Sequence, residues 1–145
     1  MHNENVQTGE AGLTAKPASA TVAVIGGSGL YSLFDPARST KHMVETPYGD
    51  AEVTIGELGG KTVAFLTRHG AGHSVAPHLI NYRANIDVLK RAGVTDLVSI
   101  SACGSFREEL PPGRFVLVDQ FVDRTFRRES SFFGAGCVAH VSLAH

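Results

Sequence analysis

Three short segments of this 145-residue chain carry residues that can bind an anion, and each follows a predicted strand. In the first, Gly26-Gly27-Ser28-Gly29, closely spaced glycines let backbone N–H groups approach an anion and Ser28 adds a hydroxyl. In the second, Arg68-His69, a guanidinium offers paired donors and the imidazole adds another. The third, Ser101-Ala102, places a hydroxyl beside a small residue that leaves the backbone accessible. All three suit one oxyanion, such as a phosphate group.

Each of these segments alone also has an explanation that needs no ligand. The glycine cluster is typical of a tight turn, Arg68 of a solvated loop cation, and Ser101-Ala102 of a strand terminus. The glycines do not complete a dinucleotide-binding fingerprint, because Ser32 stands where its last Gly or Ala belongs. The three segments together favour an anion site, since ligands of open α/β sheets bind beyond the carboxyl ends of the strands.

Three histidines close together in the sequence, His69, His73 and His78, are the candidates for a metal site. Their spacing would align two ligands on a helix, but two glycines and a proline interrupt this segment. It also lacks the glutamate of an HExxH motif. We therefore expect no metal here.

Hydrophobic patterning predicts the elements that must position these segments. Continuous apolar runs predict buried strands at 21–25, 96–101 and 114–119. A short strand is predicted at 41–45, and the alternating segment 52–58 is predicted to form a hairpin with 61–67 through Gly59-Gly60.

One helix is predicted between the second and third anion-binding segments. Leu79, Tyr82, Ile86 and Leu89 recur at helical spacing, and Gly93 provides a stop. Together with the strands, this helix predicts an α/β fold with a mixed central β-sheet flanked by helices.

Composition excludes several classes of protein. Lys and Arg number 13 against 14 Asp and Glu, a net charge of −1, which argues against nucleic-acid binding by bulk charge and against polybasic attraction to a membrane. Two cysteines, Cys103 and Cys137, make no disulfide framework, so we expect a reducing, cytoplasmic setting. No apolar run approaches the roughly 18 residues of a membrane span. Residues 1–20 lack the apolar region of a secretory signal and are predicted to be a disordered lead-in.

Five segments occur in the order VAVIGGSGLY, ETPYGDAEV, FLTRHGAGHSVAPHLINYRANI, SISACGSFREELPPG and DQFVDRT. Together they resemble the S-methyl-5′-thioadenosine phosphorylase family, within the trimeric purine nucleoside phosphorylase superfamily. The resemblance covers residues 21–145, and SACGS and DQFVDRT are the segments most similar to this branch. The inosine/guanosine and methylthioinosine branches usually carry an Asn-Ala-x-Gly-Gly pattern at residues 101–105.

The resemblance implies a phosphorylase/hydrolase-like fold and a pentosyltransferase activity, with phosphate as co-substrate rather than cofactor. Methylthioadenosine and phosphate would give adenine and 5-methylthioribose-1-phosphate, a reaction of purine and methionine salvage. The family pattern assigns phosphate binding to Ser28, Arg68, His69, Ser101 and Ala102. It also assigns substrate binding to Ala102 and to His140, which in relatives reaches across the trimer to a neighbour's substrate.

The resemblance also implies that this chain is the N-terminal portion of the domain. The acid that assists the departing adenine belongs to a loop beyond His145, so no catalytic residue is expected within the chain, and we expect the isolated chain to be inactive and poorly soluble. Three alternatives stay open: a purine nucleoside or methylthioinosine phosphorylase, an inactive phosphate-binding fragment that inserts into full-length homotrimers, and a dinucleotide-binding domain.

Overall fold

The computed structural model describes residues 13–14, 17–27, 30, 33–129 and 131–142. Within these residues the regular elements are six strands, one α-helix and three short 3₁₀ turns. The strands and the helix are β1 (Leu13–Thr14), β2 (Val22–Gly26), β3 (Ser39–Val44), β4 (Ala51–Leu58), β5 (Lys61–Thr67), α1 (Tyr82–Arg91) and β6 (Asp96–Ser99). The 3₁₀ turns are Pro36–Arg38, Ala71–His73 and Pro77–Leu79.

The strands form one mixed sheet in the order β1-β3-β4-β5-β2-β6. β2 runs parallel to both β5 and β6, whereas β4 runs antiparallel to β3 and β5. The predicted α/β class with a mixed central sheet is therefore confirmed, with α1 as the single α-helix that the described residues contribute. Because the three strands at one side of the sheet are parallel, their carboxyl ends meet at one edge.

The two faces of the sheet bury different sets of residues. On one face, Ala84, Val88 and Leu89 of α1 join the main core cluster with small and β-branched strand residues. On the other face, Phe34 packs edge-to-face against Phe65, with ring centroids 6.1 Å apart. Alternation along the strands produces this division, since successive side chains point to opposite faces of a sheet.

The predicted hairpin is present as β4 and β5, in antiparallel register through Leu58 and Lys61. Its two-residue turn has positive φ at both Gly59 and Gly60, +58° and +74°. A two-residue hairpin turn of this kind needs the left-handed region at both positions, which glycine enters without steric cost.

The helix is present, but the predicted buried stripe is partly wrong. Leu79 lies in a 3₁₀ turn before α1 and is 66% exposed, and Ile86 is also exposed. The buried face consists of Ala84, Val88 and Leu89, because a small residue allows the helix to approach the sheet closely. Asn81 caps the helix by accepting a hydrogen bond at Oδ1 from the Ala84 N–H, 3.1 Å away.

Two of the three predicted buried strands differ from expectation. At 96–101 a strand forms as β6, but all four of its residues are exposed because it is the edge of the sheet and no described element covers it. Residues 114–119 form no strand, and Phe115 is 90% exposed. A strand needs a neighbour for its backbone hydrogen bonds, and no described residue supplies one here.

Most of residues 1–20, the predicted disordered lead-in, lie outside the residues that the structure describes. Those outside are residues 1–12, 15 and 16. Of the rest, Leu13–Thr14 pairs in parallel with β3, and Ala20 is buried in the main core, where its N–H donates to the Ala92 carbonyl.

Candidate anion-binding site

Parallel pairing brings three of the strand ends together. The register aligns Ile25 of β2 with Leu66 of β5 and with Ser99 of β6. The pairing continues one step further, since the Ile100 N–H donates to the Ile25 carbonyl over 2.9 Å and the Arg68 N–H donates to the Gly26 carbonyl over 3.2 Å. The segments that begin at Gly27, Arg68 and Ile100 therefore leave the sheet side by side.

The Arg68 side chain spans these three strand ends. Its Nη1 donates a hydrogen bond to the Ile100 carbonyl, 2.8 Å away, and its guanidinium lies against Gly27. No carboxylate of the described residues forms an ion pair with it, although five other basic side chains have such partners. A half-buried guanidinium without a counter-ion is suited to an oxyanion ligand, because several of its five N–H donors remain available.

His69 is held in one orientation by the loop that follows β5. Its ring is buried, 9% exposed, and Nδ1 lies 2.9 Å from the Val75 carbonyl oxygen. The Val75 N–H donates in return to the His69 carbonyl over 2.8 Å, which closes the loop. Because a carbonyl oxygen only accepts, Nδ1 carries the proton, and Nε2 is the nitrogen left for another partner.

The other predicted site residues are Ser28, Ser101, Ala102 and His140. Ser101 and Ala102 are exposed and directly follow Ile100 in the sequence. They are therefore the next two residues after the carbonyl that accepts the Arg68 hydrogen bond. Ser28 lies outside the described residues. His140 is exposed and has no hydrogen bond, ion pair or ring contact with any part of the described chain.

The three histidines do not gather into one cluster. The rings of His69 and His73 lie 4.3 Å apart, whereas His78 lines a cavity at the start of α1. Across the described residues, no group of three His, Cys, Asp or Glu side chains is arranged to hold a metal ion.

That cavity, of about 700 Å³, is lined by residues 78–83, 127–129 and 131. Its arginine side chains have partners among the described residues: Arg128 lies over the Tyr82 ring at 4.2 Å, Arg127 over the Phe126 ring at 5.4 Å, and Arg83 over the Tyr48 ring and 3.5 Å from Glu129. None of the predicted site residues lines it among the positions described. The strand ends, where no described carboxylate forms an ion pair with the half-buried Arg68 guanidinium, are therefore the better candidate for binding an anion.

The clearest pKa shift in the described residues is that of Asp123, which belongs neither to the strand ends around Arg68 nor to the lining of the cavity. The Thr125 hydroxyl donates to the Asp123 carboxylate over 2.6 Å, and the Thr125 N–H donates to it over 2.9 Å. These two hydrogen bonds lower the pKa of Asp123 below its ordinary value of 3.8.

Sequence reasoning missed the partners that hold the site residues in place. The Ile100 carbonyl, the Val75 carbonyl and the bare backbone of Gly27 are main-chain features, and no side-chain pattern reports them. The one available signal was Gly27 itself, which stands directly after a buried strand.

A family model of the phosphorylase superfamily matches residues 21–144. The chain therefore belongs to the phosphorylase superfamily.

Within that superfamily, the chain is most informatively compared with S-methyl-5′-thioadenosine phosphorylases. The enzyme of Bradyrhizobium diazoefficiens is 59% identical over 128 residues, which cover 87% of this chain and 44% of that protein. The enzyme of Cereibacter sphaeroides is 61% identical over 126 residues, covering 86% and 43%. The chain thus spans less than half the length of these curated relatives.

Solved structures show the same similarity. A methylthioadenosine phosphorylase sourced from an antarctic soil metagenomic library superposes with a TM-score of 0.79 at 50% identity, covering 88% of this chain and 45% of that one. The methylthioadenosine phosphorylase of Schistosoma mansoni in complex with adenine gives a TM-score of 0.73 at 39% identity, covering 81% and 43%. The family resemblance predicted from the motifs is confirmed. The described helices include none with the length and apolar character needed to cross a bilayer.

Proposed function

We propose that this chain forms the phosphate-binding portion of an enzyme that splits S-methyl-5′-thioadenosine with inorganic phosphate. The observation that carries the proposal is the Arg68 guanidinium, which lies at three strand ends and has no carboxylate partner among the residues that the structure describes. The relatives that match at 59% and 61% identity bear the name of this phosphorylase.

The reaction needs an anion held against one face of the ribose. Phosphate oxygen forms a bond to the ribosyl C1′ while the bond from C1′ to the adenine nitrogen breaks, and adenine leaves with that electron pair and gains a proton. The sugar carbon becomes cationic on the way, as in glycoside hydrolysis, so a negative charge beneath it is stabilising. Fixing two substrates in one geometry can supply ~7–11 kcal/mol of the barrier.

Each of the proposed site residues contributes different hydrogen-bonding groups to phosphate binding. Arg68 provides paired N–H donors, His69 provides Nε2, and Ser101 and Ala102 provide a hydroxyl and accessible backbone beside them. Ser28 provides a further hydroxyl from the end of β2. His140 contributes to substrate binding at a neighbouring subunit's site. No metal or cofactor is required by this chemistry.

The setting of the complete enzyme belongs to the same proposal. We infer a cytoplasmic homotrimer that serves purine and methionine salvage, acting on small molecules without binding nucleic acid or membrane. The free thiols of Cys103 and Cys137 and the near-neutral net charge of −1 support this setting.

Phosphate binding to the 145-residue chain tests the site directly. In a ³¹P NMR titration we expect Arg68→Ala to weaken binding by about tenfold or more, since a hydrogen bond to a charged group is lost. Arg68→Lys keeps the positive charge but loses the paired N–H geometry, so its affinity for phosphate should lie between those of the unaltered chain and Arg68→Ala. Arg114→Ala is the matched control, because Arg114 is exposed and forms no ion pair with the described residues. Equal binding by the Arg68 and Arg114 variants would contradict the proposed site.

An assay of adenine release distinguishes a chain that is part of an active enzyme from a non-catalytic phosphate-binding fragment. We expect the isolated chain to release no adenine from methylthioadenosine in the presence of phosphate. A chimera that joins this chain to the unmatched part of the Bradyrhizobium diazoefficiens relative should release it, and faster than it cleaves methylthioinosine or inosine. A folded chimera that prefers inosine would favour a purine nucleoside phosphorylase instead, and a folded but inactive one would favour the non-catalytic fragment.

A further inference from the structure

We propose that Gly27 is a positioning residue for Arg68: the absence of a side chain at position 27 creates the space in which the guanidinium lies. This inference rests on the proposed phosphate site and adds a residue that acts on the anion only through Arg68.

The space at Gly27 is filled by the arginine head group. A Cβ atom on Gly27 would lie 2.6 Å from Nη2 and 2.9 Å from Cζ of Arg68, far inside van der Waals contact. Gly27 is buried, so the guanidinium lies across the end of β2 rather than beside it in solvent. No side chain larger than hydrogen fits while Arg68 keeps this position.

The backbone would accept a larger residue, so the requirement is one of space. The φ angle of Gly27 lies outside the left-handed region, unlike those of Gly70 and Gly72 in the neighbouring loop. Alanine at position 27 is therefore compatible with the main-chain conformation. What must yield is the arginine side chain, because a long flexible side chain moves more easily than a strand.

Arg68 can yield only by giving up its present contacts. Its own N–H is tied to the Gly26 carbonyl over 3.2 Å, so the backbone of residue 68 stays in place. Its Nη1 donates to the Ile100 carbonyl over 2.8 Å, and we expect displacement of the guanidinium by a methyl group at position 27 to break this bond. The guanidinium then leaves the edge where the three strands end, and with it the paired donors for an anion.

The test measures inorganic phosphate binding to the 145-residue chain by ³¹P NMR. We expect Gly27→Ala to weaken binding by about tenfold to a hundredfold, the effect of losing charged hydrogen bonds, while cooperative unfolding in urea is retained. Gly134→Ala is the matched control, since a Cβ there meets nothing within 4 Å and its φ is also outside the left-handed region. Phosphate binding by Gly27→Ala at the level of the unaltered chain would overturn the inference.

A double-variant cycle shows whether Gly27 acts through Arg68. In an Arg68→Lys background the compact ammonium does not need the space, so adding Gly27→Ala should change binding less than about twofold. An undiminished loss in that background would mean that Gly27 acts through its own backbone, and would overturn the inference.

A second readout is independent of the ligand. The guanidinium N–H resonances of Arg68 should exchange slowly in the unaltered chain and rapidly in Gly27→Ala, and unchanged exchange would contradict the positioning role. Failure of the unaltered chain to bind phosphate would overturn the proposed function, whereas the exchange measurement would still decide the role of Gly27.

Discussion

The sheet region, residues 17–27, 30 and 33–100, and the residues after it, 101–129 and 131–142, have similar apolar content but opposite packing. The sheet region contains every buried hydrophobic residue described, together with α1 and the strands β2 to β6. The later residues contain no helix or strand, and almost all of them are exposed. Leu66 of β5 is 1% exposed, whereas Leu117 is 99% exposed.

The difference shows that an apolar run becomes a strand only where neighbours exist. Val22–Gly26 lies between β5 and β6 and pairs with both. Residues 114–119 have a similar apolar pattern but meet no strand edge and no covering helix among the described residues. The β-propensity of a segment therefore shows only that it can fit into a sheet, and a strand forms only where neighbouring elements are present to pair with it or cover it.

The largest effect that would sharpen this comparison is a matched pair of leucine truncations. We expect Leu66→Ala to lower the free energy of unfolding by about 2–5 kcal/mol, because it removes fully buried methyl groups and leaves a cavity. Leu117→Ala should stay within about 0.5 kcal/mol. Urea unfolding followed by far-ultraviolet circular dichroism measures both. Similar losses from the two variants would show that residues 101–142 pack in solution.

A smaller effect is expected from adding a methyl group to each region. A Cβ on Gly56 of β4 would lie 2.6 Å from Cγ of Phe34, whose ring covers that strand, so Gly56→Ala should cost about 1–3 kcal/mol of unfolding free energy by overpacking. Gly134→Ala, which points into open space, should be neutral within about 0.5 kcal/mol. Thermal and urea unfolding measure both. A neutral Gly56→Ala would mean that Phe34 does not hold its place on the sheet.

The smallest effect concerns local order within the exposed residues. Asp123 has a lowered pKa, so its ionised form stabilises the Thr125 turn at neutral pH, and that stabilisation is lost as pH falls through the folded pKa, below 3.8. Thr125→Val should raise the pKa towards the ordinary value, because the hydroxyl bond is the largest cause. Arg128→Gln should raise it less, since that cation is the smallest cause. Carboxyl ¹³C NMR titrations measure the pKa of Asp123 in both variants. A larger rise in Arg128→Gln than in Thr125→Val would contradict the role assigned to the Thr125 hydrogen bonds.

Local patterns predicted most of the sheet region. Alternation and the Gly59-Gly60 pair predicted the β4–β5 hairpin, and the apolar run after Thr21 predicted β2. Burial could not be predicted in the same way, because it depends on which elements cover a strand. The exposed β6 and the absent strand at 114–119 are cases where that covering is missing among the described residues. The helix stripe was misjudged because large residues were counted and Ala84 was not.

The candidate site was predictable at the level of residue type. Strand endings pointed to the glycine cluster, to Arg68-His69 and to Ser101-Ala102, and parallel pairing brings the three ends to one edge. Their orientation was not predictable, because it depends on the carbonyls of Ile100 and Val75. The binding roles of Ser28, Arg68, His69, Ser101, Ala102 and His140 remain predictions, and the ³¹P NMR titrations test that of Arg68.

Parallel pairing also sets an order of assembly. The β4–β5 hairpin closes through a two-residue turn, whereas the Thr95 hydroxyl bonds to the Thr21 carbonyl across 74 positions of the chain, where β6 joins β2. Contacts so distant in sequence require a large loop to close and form late in folding. The edge that carries Arg68 is thus the last part of the sheet to be completed. We expect the Ile100 N–H to gain hydrogen-exchange protection after that of Ala64 during refolding.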